Sequence, residues 1–481
     1  MTIRSSSRSM LQSYDWSLVI MFLLLMVIGW INIYASIHSS EPSSIISWSA
    51  RSGKQFVWIL TAIGIAALIL FVLPPRLWEG GAIPFYAGVV FLLVAVIFLG
   101  IEVKGSRSWF EFGPIRFQPA EISKITTSLM LAFIMSRANF RVTKFHDFIK
   151  VALVIGLPML IIVAESETGS ALVYVGFIFM LYREGLSGWF LGVIGMSILL
   201  FILTLTASPY TAVLVLLAIL VILNALHGRF WKSILIGGIP VLLLALLPVV
   251  RRMISPESAP GIPYFRYVVG GLSAVAIPFL LVRAYKMKSR FLTMSVIGFI
   301  AGVMLILSAD IIFNDVLQDH QRKRIEVLLG MKEDPSGVGY NVNQSMIAIG
   351  SGGLLGKGYL NGTQTTYGFV PEQTTDFIFC TVGEEWGFLG SATVILLYFL
   401  MIWRIIIDAE HSRESFTRIY GYCVASCLFM HLFINIGMTI GLMPVIGIPL
   451  PMMSYGGSSL WAFTAMIFIF VALDHEERKY F

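Results

Sequence analysis

The sequence predicts an all-α polytopic membrane protein, and three observations support this fold class. Hydrophobic residues make up 57% of the 481 residues and charged residues only 12%, whereas a soluble domain usually carries about 25% charged residues. The mean hydropathy is +0.85. The apolar residues also fall in stretches of about 17–25, the length that crosses a hydrocarbon core as a helix. A β-barrel would instead need segments of about ten alternating residues.

About fourteen hydrophobic segments are predicted as transmembrane helices, counted as apolar runs long enough to span. The first follows a basic N-terminal lead and is interpreted as a retained helix, because no small-residue cleavage site follows it. The predicted spans are 16–36, 54–73, 82–101, 120–136, 148–164, 168–182, 186–207, 211–227, 231–250, 262–284, 291–313, 377–404, 418–441 and 455–474.

The distribution of basic residues predicts the orientation. With a cytoplasmic N-terminus, strict alternation places the basic loops inside, among them "SRANFRVTKFHD", "HGRFWK" and the tail "DHEERKYF", as the positive-inside rule requires. Arg251 and Arg252 fall outside and oppose this assignment. The sequence therefore predicts a multi-pass protein of the cytoplasmic (inner) membrane with both termini in the cytoplasm.

The predicted outer face receives three polar segments that are rich in Gly and Pro. They are "GSRSWFEFGPIRFQPAEIS", a large loop over 314–376, and "GLMPVIGIPLPMMSYGGSS". Polar, irregular backbone near membrane depth has to line a cavity or be buried in protein, because lipid cannot satisfy its hydrogen bonds. The three segments together indicate an extracytoplasmic site.

Two acids mark the end of the large loop, Glu372 and Asp376 in "FVPEQTTDFIF". Asp376 has two interpretations. It could cap a helix that begins at Phe377, or it could act as a general base that takes a proton from a hydroxyl nucleophile. The sequence does not separate them. Glu384 and Glu385 follow two turns later, and at least one should point into the protein interior.

Other acids lie close to predicted membrane depth. Glu121 and Lys124 are three residues apart, so a helix places them on one face, where they form either a local ion pair or part of a polar pocket. Glu165 and Glu167 lie either in the headgroup region or in a functional site. Acids at membrane depth are costly, so a functional role is the default interpretation there.

The net charge of +6 does not indicate nucleic-acid binding, because the basic residues flank apolar runs and form no isolated patch. Several cations nevertheless fall on the predicted outer face. They are either a solvated charge run or a grip on a phosphate-bearing headgroup. The set comprises Arg107, Arg116, Arg322, Lys323 and Arg324. Cys423 and Cys427 lie one helical turn apart without a further ligand at metal spacing, which favours plain packing.

Long motifs recur in an order that resembles the SEDS family (shape, elongation, division and sporulation). They include "GSRSWFEFGPIRFQPAEISKI", "ETGSALV", "RIEVLLG", "FVPEQTTDFIFCTVGEEWGFLG" and "NIGMTIGLMPVIGIPLPMMSYGGSSL". The resemblance covers about 1–185 and 310–475. "GTQ" ahead of "FVPEQTTDFIF" is closer to the RodA-like elongation branch than to the FtsW-like division branch.

The resemblance implies a peptidoglycan glycosyltransferase that polymerises lipid II on the outer face of the membrane during elongation. It also implies a class B penicillin-binding protein as partner, together with other membrane proteins of the elongation complex and membrane lipids. Two rival functions remain open from the residues: a lipid II flippase, since transporters also carry buried acids and broken segments, and a non-catalytic scaffold.

The resemblance assigns roles residue by residue. The family's catalytic aspartate falls on Asp376, and its "QPSE…K" acid and base fall on Glu121 and Lys124. Trp109 matches an "RW" motif in which Arg107 substitutes for the usual arginine. The family's "QPDLGTAL" appears as "ESETGSAL", so Glu167 stands where Asp is usual and Glu165 replaces Gln. Arg324, Glu372 and Ser454 complete the predicted substrate-binding set.

The resemblance also organises the chain. Family members have about ten spans, so about four helices within 186–313 are interpreted as an insertion. The predicted parts are 1–185 and 377–481 as the core, 186–313 with the insertion, and 314–376 as the catalytic loop. Asp376 is expected to be the base of an inverting displacement, with Arg324, Lys124 or a divalent cation (Mg or Mn) stabilising the departing diphosphate.

Overall fold

The computed structural model of the protein describes most of the chain. The described residues are 14–38, 44–103, 105–113, 115–226, 239, 242, 290–317, 319–329, 331 and 338–479. The chain divides into two compact units, one of Met1–Leu186 with Glu333–Phe481 and the other of Ser187–Lys332. The predicted spans 231–250 and 262–284 lie outside the described residues, apart from 239 and 242. The predicted division into a core and an insertion stays a prediction.

The first unit is a bundle of helices. Its N-terminal part contains α1 (Trp16–Ile37), α2 (Arg51–Phe71), α3 (Arg76–Gly80), α4 (Ala82–Leu99), α5 (Pro119–Met135), α6 (Phe145–Ala164), α7 (Thr168–Val175) and α8 (Phe177–Arg183). Its C-terminal part contains the helices Val338–Ser351, Ile378–His411, Ser415–Thr439 and Gly457–Lys479. The last three are called here the long, penultimate and final helices.

The second unit packs three apolar helices together, Trp189–Thr206, Pro209–Asn224 and Arg290–Ile311. Leu200, Leu216 and Phe299 are among the side chains that form its core. The third helix continues into a π-helical turn, and the helix Asp319–Leu328 follows it. The segment 314–376, predicted as a loop, therefore contains helical structure in both units.

The helical character confirms the predicted fold class. Among the described residues, eight helices are long and apolar enough to cross a membrane, and three shorter apolar helices accompany them. Each predicted span within the described residues coincides with a helix or a pair of helices. The chain is thus a multi-pass membrane protein.

A small antiparallel sheet, which the sequence analysis did not predict, lies between α4 and α5. Its strands are β1 (Ile101–Val103), β2 (Ser106–Phe112) and β3 (Ile115–Phe117), in the order β1-β2-β3. Ile101 pairs with Trp109, and Glu111 pairs with Arg116. Gly105 lies in the first turn and Gly113 in the second, both at positive φ, a conformation that glycine adopts without steric cost.

The penultimate helix is the most enclosed of the spans, since 78% of its apolar window is buried. Small side chains allow this close packing: Cys423 and Cys427 are fully buried free thiols, as predicted. The C-terminal half of this helix matters for the site, because it carries two buried polar side chains, His431 and Asn435.

Ion pairs gather several chain segments at one end of the long helix. Arg404 pairs with Asp15 at the start of α1, and Arg478 of the final helix pairs with Asp408. Arg418 binds Glu184 after α8. The segment before Ile378 lies at the other end of the long helix. Several segments of the first unit that are predicted as cytoplasmic thus share one end of this helix, and Asp376 lies at the opposite end.

The long helix is interrupted at Gly387, whose φ of 65° and ψ of −157° are not helical. A Cβ at this position would lie 2.3 Å from the backbone nitrogen of Gly356, so only glycine fits. The interruption frees backbone groups, and the turn 353–358 binds them: Phe388 N donates to Gly353 O at 2.9 Å, and Lys357 N donates to Glu384 O at 3.0 Å. Because these groups are paired within the protein, the break is compatible with a membrane environment.

Candidate active site

The loop that carries Asp376 is held by hydrogen bonds to three consecutive backbone carbonyls. Asn435 Nδ2 donates to the carbonyl of Asp376 at 2.8 Å. Ser454 Oγ donates to the carbonyl of Thr375 at 2.6 Å, and Tyr455 N donates to the carbonyl of Thr374 at 2.8 Å. The chain around Asp376 is therefore fixed although it belongs to no helix or strand.

The Asp376 side chain is half-buried, and the structure assigns the helix cap to another residue. The long helix begins at Ile378, with Phe377 as its N-cap and no side-chain cap hydrogen bond. The expectation of a helix that begins at Phe377, with Asp376 as its cap, is thus wrong by one position. A half-exposed carboxylate on a fixed backbone meets the geometric requirement for a general base.

A segment of extended chain, Ile446 to Leu450, lies between the predicted site residues and is called here the 446–450 segment. At Gly447, whose φ is 78°, a Cβ would lie 3.3 Å from Asp376 Oδ2. At Gly169, near the start of α7, a Cβ would lie 3.0–3.3 Å from atoms of Ile446 and Ile448. Gly447 thus allows Asp376 to approach this segment closely, and Gly169 allows the start of α7 to do the same.

Glu121 and Lys124 form a fully enclosed ion pair on α5. Lys124 Nζ lies 2.9 Å from Glu121 Oε1, with 1% and 4% of the two side chains exposed. Lys124 Nζ also lies 2.9 Å from His431 Nε2, and His431 Nδ1 lies 3.2 Å from the carbonyl of Pro449. An ammonium only donates, so Nε2 accepts and Nδ1 carries the proton that binds Pro449. The pair therefore supports the 446–450 segment through His431.

Glu165 and Glu167 flank the turn between α6 and α7. Glu167 Oε2 accepts hydrogen bonds from Ser106 Oγ at 3.1 Å and Ser108 Oγ at 3.0 Å. Glu165 is 3% exposed, and neither of its carboxylate oxygens has a hydrogen-bond partner. Burial and the nearby Glu167 carboxylate raise the pKa of Glu165 to about 8. The burial of this carboxyl is therefore not compensated by hydrogen bonds.

Glu384, which is fully buried, organises the loop that leads to Asp376. Its Oε1 accepts from Thr363 N at 2.7 Å and Gln364 N at 2.9 Å, and its Oε2 accepts from Thr365 N at 2.9 Å. Lys357 Nζ lies 2.7 Å from Oε1. Glu385 is also buried, so the expectation that at least one of the two acids points inward is confirmed.

The remaining predicted residues lie on several different elements. Ser454 is buried and positions the Asp376 loop. Glu372 lies four residues before Asp376, at a φ of 53°, and its carbonyl accepts from Phe377 N at 3.2 Å. Arg107 is 60% exposed and lies 3.6 Å from Glu102. Trp109 alternates with Ser108 along β2 and so lies on the face opposite the serines. Arg324 lies on Asp319–Leu328, in the second unit.

Two site residues were missed at the sequence level, His431 and Asn435. Asn435 Nδ2 binds the carbonyls of Asp376 and Ile448, at 2.8 and 2.7 Å, and both side chains are 0–1% exposed. The signal was available: they are polar, four residues apart in the apolar stretch "MHLFINIG", and so lie on one helix face. Polar residues within a span mark functional positions by default.

The half-exposed carboxylate of Asp376 on its fixed backbone can accept a proton. The Glu121–Lys124 pair, through His431, and the start of α7, through Gly169, contact the same 446–450 segment. Among the described residues, no group of three or more His, Cys, Asp or Glu side chains is arranged to hold a metal ion.

Comparisons with known proteins identify the family of the chain. The FtsW/RodA/SpoVE family profile, described as "Cell cycle protein", matches residues 15–220 and 271–479. The peptidoglycan glycosyltransferase MrdB of Escherichia coli (strain K12) is 30% identical over 444 residues, which cover 91% of this chain and 90% of the relative. The peptidoglycan glycosyltransferase RodA of Treponema pallidum is 30% identical over 457 residues, covering 94% and 95%.

Solved structures share the fold. A chain from a peptidoglycan synthase complex, described as coordinating polymerization and crosslinking, aligns over 97% of this chain and 98% of its own, with a TM-score of 0.59 and 23% identity. The rod shape determining protein RodA of Thermus thermophilus aligns over 96% and 97%, with a TM-score of 0.54 and 21% identity. The chain belongs to the FtsW/RodA/SpoVE family, that is the SEDS family, as a RodA-like peptidoglycan glycosyltransferase.

Proposed function

We propose that the protein polymerises lipid II into glycan strands on the outer face of the cytoplasmic membrane, with Asp376 as general base. A sugar hydroxyl of one lipid-linked saccharide attacks the anomeric carbon of a second one. The carbon–oxygen bond between that carbon and the polyprenyl diphosphate breaks, and Asp376 accepts the hydroxyl proton. A single displacement of this kind inverts the anomeric centre. It needs one base, unlike glycosidases, which use a pair of carboxylates.

The observation that carries the proposal is the way Asp376 is held. Its carbonyl and those of Thr374 and Thr375 are bound by Asn435, Tyr455 and Ser454, so the backbone is fixed while the side chain stays half-exposed. Holding a reacting group in a productive position lowers the barrier because little orientational entropy is lost at the transition state. The described structure would be unnecessarily elaborate for a residue that only ends a loop.

The departing diphosphate needs positive charge. A divalent cation (Mg or Mn) is a proposed source of that charge. Lys124 is enclosed by Glu121 and His431, so we assign it a positioning role in the present arrangement, through the 446–450 segment. Arg107, Trp109 and Glu167 are proposed to contact the sugar or diphosphate from the side of the small sheet.

The proposed orientation has both termini in the cytoplasm. It is supported by the ion-paired end of the bundle, where Asp15, Glu184, Asp408 and Arg478 meet, because these belong to the segments that the positive-inside rule places inside. Two single-cysteine variants, Tyr367→Cys and Lys144→Cys, test this orientation. A membrane-impermeant maleimide added to whole spheroplasts should label the first and not the second. The native cysteines are all buried, so they provide a low background.

We propose a class B penicillin-binding protein as partner, along with other membrane proteins of the elongation complex. The support is the structural similarity to a chain from a complex that coordinates polymerization and crosslinking. Reconstitution of the purified protein with lipid II, with and without that partner, tests the proposed function. Glycan chains as product support the enzyme, whereas headgroup translocation without chains would indicate a flippase, and neither would indicate a scaffold.

A further inference from the structure

The loop between α5 and α6, residues 136–144, lies at the end of these two helices that is remote from the small sheet. α5 begins two residues after β3. α6 ends beside the sheet, where Ser106 Oγ donates to the carbonyl of Glu165 at 2.9 Å. The loop, called here the α5–α6 loop, is therefore a full helix length away from the sheet.

The α5–α6 loop has a fixed backbone. Lys144 N donates to Arg141 O at 2.9 Å, which closes a turn just before α6. Arg141 N donates to Asp147 Oδ2 at 3.3 Å, and Val142 is buried in the protein. The loop thus has an inner face that packs against the bundle and an outer face that carries its charged side chains.

The outer face of the loop carries positive charge that the protein does not neutralise. Arg137, Arg141 and Lys144 are exposed, and within the described ranges no acid forms an ion pair with any of the three. Asp147 pairs instead with Lys150, at 3.1 Å. Other arginines at this end of the bundle each pair with an acid, namely Arg183, Arg404, Arg418 and Arg478. The positive-inside rule requires cations in such a loop, but it does not require that they lack acidic partners.

An exposed apolar face of α6 leads directly to these cations. Phe145, the first residue of the helix, is 80% exposed, and further exposed apolar residues follow it at intervals of three or four. Residues at this spacing lie on one face of a helix. The face consists of Phe145, Ile149, Leu153, Leu157 and Leu160. In a transmembrane helix such a face contacts lipid chains, so the cations at its end lie at the depth of the lipid headgroups.

We infer that the α5–α6 loop and the start of α6 bind an anionic phospholipid. Its phosphate lies at Arg137, Arg141 and Lys144, and an acyl chain follows the apolar face of α6. Arginine binds phosphate oxygens through two parallel hydrogen bonds, and lysine binds them as a point charge. Basic residues next to a membrane span attract anionic lipids. The bound lipid connects the end of α5 to the start of α6. Its assignment to the cytoplasmic leaflet rests on the proposed orientation, whereas the binding itself does not.

Native mass spectrometry of the purified full-length protein measures the binding. The protein, in detergent and without lipid II, is titrated with phosphatidylglycerol or with phosphatidylcholine of the same acyl chains. The wild type should bind a first phosphatidylglycerol more tightly than phosphatidylcholine. The double variant Arg141→Gln with Lys144→Gln should bind phosphatidylglycerol at least about tenfold more weakly, because each basic residue near an anionic headgroup adds to the affinity. Its affinity for phosphatidylcholine should stay at the wild-type value. Both side chains are exposed, so this variant should fold.

The matched control is Arg107→Gln with Arg116→Gln. It also removes two exposed cations, but these already pair with Glu102 and Glu111, so phosphatidylglycerol should bind as in the wild type. An equal loss in this control would show a mere effect of net charge and would overturn the inference. Equal phosphatidylglycerol binding by the wild type and the Arg141→Gln, Lys144→Gln variant would overturn it too, and would leave the loop cations as orientation signals or as a surface for an acidic protein. Polymerisation is not part of the readout, so a failure of the proposed function would leave this result unaffected.

Discussion

The side-chain amide of Asn435 donates to the backbone carbonyl of Asp376 at 2.8 Å and to that of Ile448 at 2.7 Å. One side chain of the penultimate helix thus fixes two loops relative to each other, the loop of the proposed base and the 446–450 segment. Asn435 is fully buried, so water does not compete with its amide for these two carbonyls. The position of the proposed base thus depends on a side chain that binds its backbone.

Replacing Asn435 should therefore affect both stability and turnover. Asn435→Leu leaves two carbonyls without their donor, which costs about 1–3 kcal/mol for each group that stays unsatisfied. We expect a lower unfolding midpoint and a lower kcat for lipid II polymerisation. The matched control is Asn32→Leu, because Asn32 is equally buried but donates only within its own helix, to Ile28 O at 2.8 Å. Equal kcat losses in both variants would argue against a specific role for Asn435.

The Glu121–Lys124 pair should behave as a buried ion pair. Lys124→Met leaves Glu121 charged and buried, which costs about 3–5 kcal/mol, so the thermal stability of the purified protein should fall sharply. The double variant Glu121→Gln with Lys124→Met should recover most of the stability, because both charges are removed. Since His431 also loses its ammonium donor, polymerisation should stay low. Recovery of full activity in the double variant would show that the pair serves folding alone.

Glu384 should control the order of the loop that precedes Asp376. Glu384→Ala deprives Thr363 N, Gln364 N and Thr365 N of their acceptor, whereas Thr365→Val removes only one hydroxyl donor to Glu384. We expect rapid amide hydrogen exchange over 363–365 in Glu384→Ala, and near-normal protection in Thr365→Val, with a loss of about 1 kcal/mol. Similar exchange in the two variants would contradict the assignment.

The ion-paired end of the bundle should weaken in acid. Burial raises the pKa of Asp15, but hydrogen bonds with Asp408, Ser17 and Arg404, together with the charge of Arg404, outweigh it and hold that pKa well below its usual range. A lowered folded-state pKa means that the stabilisation is present above the unfolded value of about 3.9 and is lost as the pH falls below it. The stability difference between the wild type and Asp15→Asn should therefore shrink from pH 6 toward pH 3. A constant difference would refute this interpretation.

The helices followed from the sequence because apolar length alone determines a span. The start of the long helix was also located to within one residue, since a polar stretch meets an apolar one at Asp376 and the helix begins at Ile378. What the sequence did not show is pairing between distant segments. The sheet at 101–117 went unpredicted because its strands are short. The polarity and spacing of His431 and Asn435 marked one helix face, but the sequence does not show which distant residues that face contacts, here Lys124 and Asp376.

The break at Gly387 shows the same limit. Glycine within an apolar helix usually indicates close helix packing. The positive φ of Gly387 arises instead from the turn 353–358, which approaches the helix backbone and binds its free groups. A long-range contact of this kind has no local sequence signature.

The central claim is that Asp376 removes a proton from the attacking sugar hydroxyl. The most direct measurement is the initial rate of lipid II polymerisation by purified Asp376→Ala, with folding checked by its unfolding midpoint. Loss of a general base typically lowers a rate about 10²–10⁴-fold, so we expect a loss of this size in a protein that melts close to the wild type. A folded Asp376→Ala protein that polymerises lipid II at the wild-type rate would contradict the account.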